Sequence, residues 1–102
     1  MQLSLLTIIT EEVLEQRLID LVMARGATGY TVTPCRGEGS RGLRTGSMPG
    51  GNVRIEVVVS NDVAEDIVGH LSTDYFTNYA VIAWRSEVSV VRGDKYVRAP
   101  GP

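Results

Sequence analysis

A glycine-rich segment at residues 37–51 carries the groups best suited to binding chemistry. It begins Gly37-Glu38-Gly39-Ser40-Arg41-Gly42, and Arg44 follows shortly after. Glycines allow successive backbone N–H groups to converge on an anion. The Ser40 hydroxyl adds a donor, and the guanidinium groups of Arg41 and Arg44 can pair with phosphate oxygens in a bidentate manner. The segment therefore predicts a phosphate site, and the alternative is a solvated loop whose arginines only aid solubility.

The same glycine spacing occurs in dinucleotide-binding proteins, where it opens a helix inside a parallel β-α-β unit. Here residues 43–51 are rich in glycine, contain Pro49 and have no helical period. A Rossmann-type site is therefore rejected.

Other chemistry-bearing residues do not form a catalytic pattern. His70 is the single histidine and Cys35 the single cysteine, and they stand in unrelated parts of the chain. Neither a cysteine–histidine pair nor a metal cluster can be built from them. The sequence therefore predicts no catalytic residue, no metal site and a protein that is not an enzyme.

The composition restricts the class of protein. The 102 residues fit a single domain, 1–102, and the formal charge of −2 argues against a general nucleic-acid binder. One cysteine favours a reducing compartment. The N-terminus lacks a signal-peptide pattern, and no apolar run approaches the ~18 residues of a membrane helix. We expect a cytoplasmic protein without direct membrane insertion.

Apolar periodicity predicts four strands and two helices. Thr10 is predicted to cap the first helix and Gly26 to end it, while Ser60 and Asn61 are candidates to cap the second. The predicted elements are, in chain order, a strand at 3–9, a helix at 11–25, a strand at 29–33, a strand at 53–59, a helix from 61 with Val63, Ala64, Ile67, Val68 and Leu71 on its inner face, and an extended region at 79–91 that bends or splits near Ser86.

This order, β-α-β, long loop, β-α-β, predicts a ferredoxin-like α+β fold, an antiparallel sheet with both helices on one face. The first strand is apolar on both sides, since Leu5 and Ile9 alternate with Leu6 and Ile8. Strands of this kind are covered on both faces, which favours a partner subunit over a scatter of exposed apolar residues. An acylphosphatase would need a glycine-containing anion loop after the first strand, and an RNA-recognition domain would need exposed aromatic residues on its central strands. The corresponding segments of this sequence lack both features.

Four segments resemble the PII-like signalling proteins. They are Gly29-Tyr30-Thr31-Val32, Gly37-Glu38-Gly39-Ser40-Arg41, Arg44-Thr45-Gly46 and Asn52-Val53-Arg54-Ile55-Glu56-Val57. The similarity covers nearly the whole chain and is greatest to the carbon-sensing subgroup, the SbtB type and the carboxysome-associated PII proteins.

The resemblance implies a ferredoxin-like homotrimer with nucleotide sites between neighbouring subunits. The loop at about 37–51 corresponds to the T-loop, which reports the ligand to a protein partner such as a membrane transporter or a carbon-fixation component, and a C-terminal tail spans about 92–102. The implied phosphate-binding residues are Gly37, Gly39, Ser40, Arg41 and Arg44. The implied adenine- and ribose-binding residues are Thr28, Gly29, Ile82, Ala83 and Trp84.

The departures from the family pattern affect the expected ligand. The glycine- and lysine-rich phosphate loop of nitrogen-sensing members is absent, and Thr77-Asn78-Tyr79-Ala80 stands in its place. AMP, ADP or cyclic AMP, together with bicarbonate as a possible second effector, is therefore favoured over ATP with 2-oxoglutarate, and no permanently bound cofactor is expected. The alternatives are a slow nucleotide hydrolase and a structural trimer of the CutA type that ignores nucleotides.

Overall fold

The computed structural model describes residues 1–37 and 51–97. The strands are β1 (Gln2–Glu11), β2 (Thr31–Cys35), β3 (Asn52–Val59) and β4 (Ile82–Ser89), and the helices are α1 (Glu15–Arg25) and α2 (Asn61–Asp74). Short 3-10 segments at Glu12–Leu14 and Gly93–Tyr96 precede α1 and follow β4. Residues 38–50 of the predicted loop, including Gly39, Ser40, Arg41 and Arg44, and residues 98–102 of the predicted tail lie outside the described residues.

The four strands form one antiparallel sheet in the order β2-β3-β1-β4. In the central pair Leu6 lies opposite Val57 and Ile8 opposite Ile55. This order and the two helices confirm the predicted ferredoxin-like fold.

The hydrophobic core lies between the helices and one face of the sheet. On the sheet side it contains Leu6 and Ile8 of β1 and the alternate apolar residues of β3. On the helix side it contains Leu18 and Val22 of α1 together with Ala64, Ile67 and Leu71 of α2. Val63 and Val68 pack at its margin, so the predicted inner face of the second helix is confirmed.

The side chains that alternate with the core residues lie on the opposite side of the sheet, which we call the open face. Its residues are Leu3, Leu5, Thr7 and Ile9 of β1, Thr31 and Thr33 of β2, Arg54, Glu56 and Val58 of β3, and Ile82, Trp84, Ser86 and Val88 of β4. Trp84 is 43% exposed and Ile82 59% exposed. The expected alternation of apolar groups between two faces is thus present.

Local signals explain where the helices begin and end. The Ser60 hydroxyl accepts a hydrogen bond from the Val63 N–H at 3.2 Å, which confirms Ser60 as the cap of α2. Gly26 ends α1 with a φ of 132°, a conformation that side chains with a Cβ rarely adopt. Neither helix in the described ranges is long and apolar enough to cross a bilayer.

Three predicted boundaries are wrong. Thr10 does not cap the first helix, because β1 continues to Glu11 through pairing with β3, and the residue before α1 is Leu14. The second strand begins at Thr31 rather than at residue 29. The last strand begins at Ile82, because residues 75–81 form consecutive turns. It then runs unbroken through Ser86.

Candidate functional site

A cleft of about 340 Å³ opens on the sheet beside β2. Leu5, Glu56 and Val58 lie on its floor, where Leu5 pairs with Val58 across the strands. Its rim comes from the connection before β2 and from the 3-10 segment after β4. The rim residues are Gly29, Tyr30, Thr31 and Tyr96. The volume lies within the usual range for small-molecule sites, ~300–1,000 Å³.

One carboxylate lies among the apolar groups of this cleft. Glu56 is on the open face of the inner strand β3, and its side chain is 26% exposed. The Nε atom of Arg54 lies 3.6 Å from the Oε2 atom of Glu56 on the same face. An ionised carboxylate is a hydrogen-bond acceptor with no donor. The cleft therefore offers apolar and aromatic contact area, with one acceptor group fixed at its floor.

The structure places the predicted adenine-binding residues in two separate locations. Gly29 lines the cleft, and the neighbouring Thr28 is exposed. Ile82, Ala83 and Trp84 begin β4, at the opposite edge of the sheet. Three interstrand spacings separate β2 from β4, about 14 Å at the usual spacing of ~4.8 Å. Within the described residues, one chain therefore does not bring the two groups together.

The ends of the predicted phosphate loop lie at one end of the sheet. Cys35 of β2 pairs with Asn52 of β3, and Gly37, the first residue of the predicted loop, is the last described residue on that side. The N–H of Glu12 donates to the carbonyl of Gly51 at 3.0 Å, which ties the loop exit to the end of β1. Ile82 pairs with Ile9 and so lies near this same end of the sheet. The loop base and the start of β4 therefore share one end of the sheet.

Of the eight described residues that line the cleft, only Gly29 is among the predicted binding residues. Glu56 and Tyr96 are missed residues with polar side-chain groups, and they lie far from Gly29 and from each other in the sequence. From the sequence alone, Glu56 belongs only to the polar side of an alternating strand, and Tyr96 only to a polar tail. The available signal for Glu56 is a carboxylate on an inner strand, on a face otherwise rich in apolar residues. Tyr96 has no local signal, because its position depends on the turn that follows β4.

A group of ionisable residues on α1 and α2, away from the cleft, is held by mutual contacts. Arg25 of α1 donates two hydrogen bonds to Asp66 of α2, at 2.6 and 3.1 Å, and holds the pKa of Asp66 below its usual value. His70 is half-exposed on α2, with Asp66 and Asp74 one turn away on either side. Within 1–37 and 51–97, no three histidine, cysteine or acidic residues are grouped as metal ligands.

Comparison with known proteins identifies similar chains. The family model described as nitrogen regulatory protein P-II matches residues 3–95. A crystal structure of a protein described as PII-like and signalling, from Thermus thermophilus, has 48% identity and a TM-score of 0.82 over 94% of this chain and 96% of that chain.

More distant structures share the fold. CPII, a nitrogen regulatory PII-like protein from Thiomonas intermedia K12 bound to ADP, AMP and bicarbonate, has 22% identity and a TM-score of 0.85, with 94% of each chain covered. The GlnK–ATP complex of B. subtilis has 20% identity and a TM-score of 0.52, with 83% of this chain and 82% of that chain covered.

Proposed function

Since this chain belongs to the PII family, we propose that it is a signalling protein that binds an adenine nucleotide between the subunits of a homotrimer. The observation that carries the proposal is the position of the cleft beside β2, with the other predicted binding residues at the far edge of the same sheet. A site that uses both groups needs two chains. A cyclic trimer meets this need three times, because each chain presents its β2 edge to one neighbour and its β4 edge to the other.

The chemistry of the cleft suits the nucleoside part of the ligand. The carboxylate of Glu56 accepts hydrogen bonds from donors such as ribose hydroxyls or the adenine amino group, and it repels phosphates. Tyr30 and Tyr96 on the rim offer faces and edges against which a base can pack. The base and ribose therefore belong in the cleft, with the phosphates directed away from Glu56.

The phosphates are assigned to the glycine-rich loop. Its predicted ligands are Gly37, Gly39, Ser40, Arg41 and Arg44. Arginine guanidinium groups and glycine backbone N–H groups are suited to phosphate oxygens. In this proposal the segment reports the bound ligand to a protein partner, as the resemblance implies for a T-loop. We assign that partner to the class of inorganic-carbon transporters or carbon-fixation components.

The effector is assigned to AMP, ADP or cyclic AMP, with bicarbonate as a second ligand. The absence of a glycine- and lysine-rich loop before β4 supports a ligand with few phosphates, since Thr77-Asn78-Tyr79-Ala80 stands there. CPII, which shares the fold, is bound to ADP, AMP and bicarbonate in its crystals. This similarity supports the assignment.

The test is isothermal calorimetry with AMP, ADP, ATP and cyclic AMP, each with and without bicarbonate. We expect one adenine nucleotide to bind at micromolar to millimolar concentration. If bicarbonate is a coupled effector, it must change nucleotide affinity by the same factor by which the nucleotide changes bicarbonate affinity. Product chromatography after incubation with ATP separates a sensor from a slow hydrolase.

Variants in the loop and in the cleft test separately which part of the ligand each of them binds. Arg41→Ala and Arg44→Ala should each weaken ADP about tenfold or more, since a charge-assisted hydrogen bond contributes ~1.5–3 kcal/mol. The same variants should leave adenosine binding nearly unchanged. Glu56→Gln should weaken adenosine and ADP alike. A trimer that binds none of these ligands would be a structural protein, and the sensor proposal would then be wrong.

A further inference from the structure

Three side chains join α1 to the connection between α2 and β4. The guanidinium carbon of Arg17 lies 5.6 Å from the ring centroid of Tyr75 and 6.0 Å from that of Tyr79. The two ring centroids are 5.7 Å apart, with an angle of 46° between the ring planes. These distances are within the usual range for cation–π and tilted aromatic contacts. We call this group the Arg17 clamp.

The connection held by the clamp is a compact series of turns. The N–H groups of Tyr75 and Phe76 both donate to the carbonyl of Leu71, and the N–H of Tyr79 donates to the carbonyl of Tyr75. The N–H of Val81 then donates to the carbonyl of Tyr79. Since β4 begins at the next residue, the position of Tyr79 constrains where β4 enters the sheet, together with the pairing of β4 with β1.

The aromatic rings of this connection face two environments. Tyr75, Phe76 and Tyr79 pack partly against the hydrophobic core. Arg17 is exposed on α1 and reaches the two tyrosine rings from the solvent side. Hydrogen bonding to the Tyr79 side chain is the main reason why the pKa of Arg17 lies above its usual value, followed by charge interaction with Tyr75. The clamp therefore holds the rings from the side that the core does not reach.

We propose that Arg17 is a positioning residue of the nucleotide site, because its clamp fixes the connection that places Ile82, Ala83 and Trp84 at the start of β4. The proposal rests on the proposed function, since it assumes that these three residues contact the nucleotide. It assigns to Arg17 an effect on ligand affinity that is larger than its effect on the stability of the fold. The planar guanidinium can lie over two rings at once, which the compact ammonium group of lysine does less well.

The experiment uses Arg17→Met, which keeps an unbranched apolar stem and removes the charge and the planar fork. Arg17→Lys restores the charge alone. The matched control is Arg25→Met, on the same helix, where an exposed arginine pairs with Asp66 of α2 rather than with the tyrosines of the 75–81 connection. Both methionine variants should lower the urea midpoint by similar, small amounts.

The first readout needs no ligand. Trp84 is the single tryptophan of the chain, and it lies three residues after Val81 in β4. We expect Arg17→Met to change its emission maximum and its quenching by acrylamide, whereas Arg25→Met leaves both unchanged. Sedimentation at the same protein concentration verifies that the variants have the same oligomeric state, so that the change reports on the position of β4.

The second readout is calorimetric affinity for whichever adenine nucleotide binds the wild-type protein. Arg17→Met should weaken binding about threefold to tenfold, as is typical of residues that act through another group, and Arg17→Lys should lie between it and the wild type. Equal affinity and equal tryptophan fluorescence in Arg17→Met and Arg25→Met would overturn the proposal. If the wild-type protein binds no nucleotide, the proposed function fails, and the tryptophan readout still decides whether the clamp positions β4. If Arg17→Met does not fold, Tyr79→Phe, which removes only the hydroxyl, takes its place in both readouts.

Discussion

Replacement of Trp84 by alanine should dissociate the proposed trimer. Trp84 lies on the open face, near the start of the edge strand β4, and remains 43% exposed in the single chain. Trp84 and Ile82, which is 59% exposed, are the two large exposed apolar groups that β4 presents on the open face, and Trp84 supplies the aromatic one.

The size of the effect follows from the exposed area. A tryptophan side chain has ~250 Å² of surface at most, so an exposed fraction of 43% leaves about 100 Å² to be buried by a neighbour. At ~25 cal/mol per Å², full burial contributes about 2.5 kcal/mol per subunit. Three copies contribute about 7.5 kcal/mol to the free energy of trimer dissociation. Because the dissociation constant of a trimer scales with the square of the protein concentration, the concentration at which the trimer dissociates should rise roughly several hundredfold.

Sedimentation equilibrium over a dilution series measures this shift. The matched control is Arg85→Ala in the same strand, because Arg85 lies on the helix side and donates to the carbonyl of Asn61 at 3.1 Å. Far-UV circular dichroism verifies that both variants are folded. The reasoning is refuted if Trp84→Ala dissociates at the same concentration as the wild type, or if Arg85→Ala has the larger effect.

Two further predictions concern the folded chain itself. Ile67→Ala should lower the free energy of unfolding by about 2–5 kcal/mol, because the Ile67 side chain is fully buried in the core and its removal leaves a cavity. Urea denaturation measures this loss, and a loss below ~1 kcal/mol would contradict the packing. Asp66→Asn should remove an acid-dependent part of the stability, because Arg25 lowers the folded-state pKa of Asp66 below its ordinary value of 3.8. The stabilisation is complete above the unfolded-state pKa and is lost as the pH falls through the folded-state pKa. The wild type and Asp66→Asn should therefore differ in urea midpoint at pH 6 and converge in strong acid. A constant difference at all pH values would contradict this prediction.

The sequence predicted the elements whose signals are local. The alternation of β3 and the Ser60 cap of α2 depend on residues a few positions apart, and both are found at their expected positions. The start of α1 depends instead on distant pairing. Because Thr10 and Glu11 lie opposite Val53 and Asn52, the sheet extends β1 beyond the residue that local propensity marks as a cap. Helix-capping preference is therefore overridden by a ladder that no local pattern shows.

The candidate site also combines residues with local sequence signals and residues that only long-range contacts bring together. Gly29, which the resemblance implied as a binding residue, lines the cleft, whereas Glu56 and Tyr96 reach the cleft from elements far apart in the sequence. The register of β3 against β2 places Glu56 opposite Thr31, and the turn after β4 places Tyr96 near both. The strand pairing, which a list of motifs does not contain, brings Glu56 of β3 beside Gly29 and Tyr96.

Assembly and ligand binding are linked by the order of the strands. Since β2 and β4 occupy opposite edges, a nucleotide that contacts the cleft of one chain and the β4 edge of the next binds only to assembled subunits. A ligand that binds one state and not another stabilises the state that it binds. If the proposed function holds, the nucleotide and the apolar residues of the open face therefore stabilise the same assembly. The Arg17 clamp connects assembly with ligand binding through β4. The strand carries Trp84, proposed for the interface, and also the residues proposed for the nucleotide.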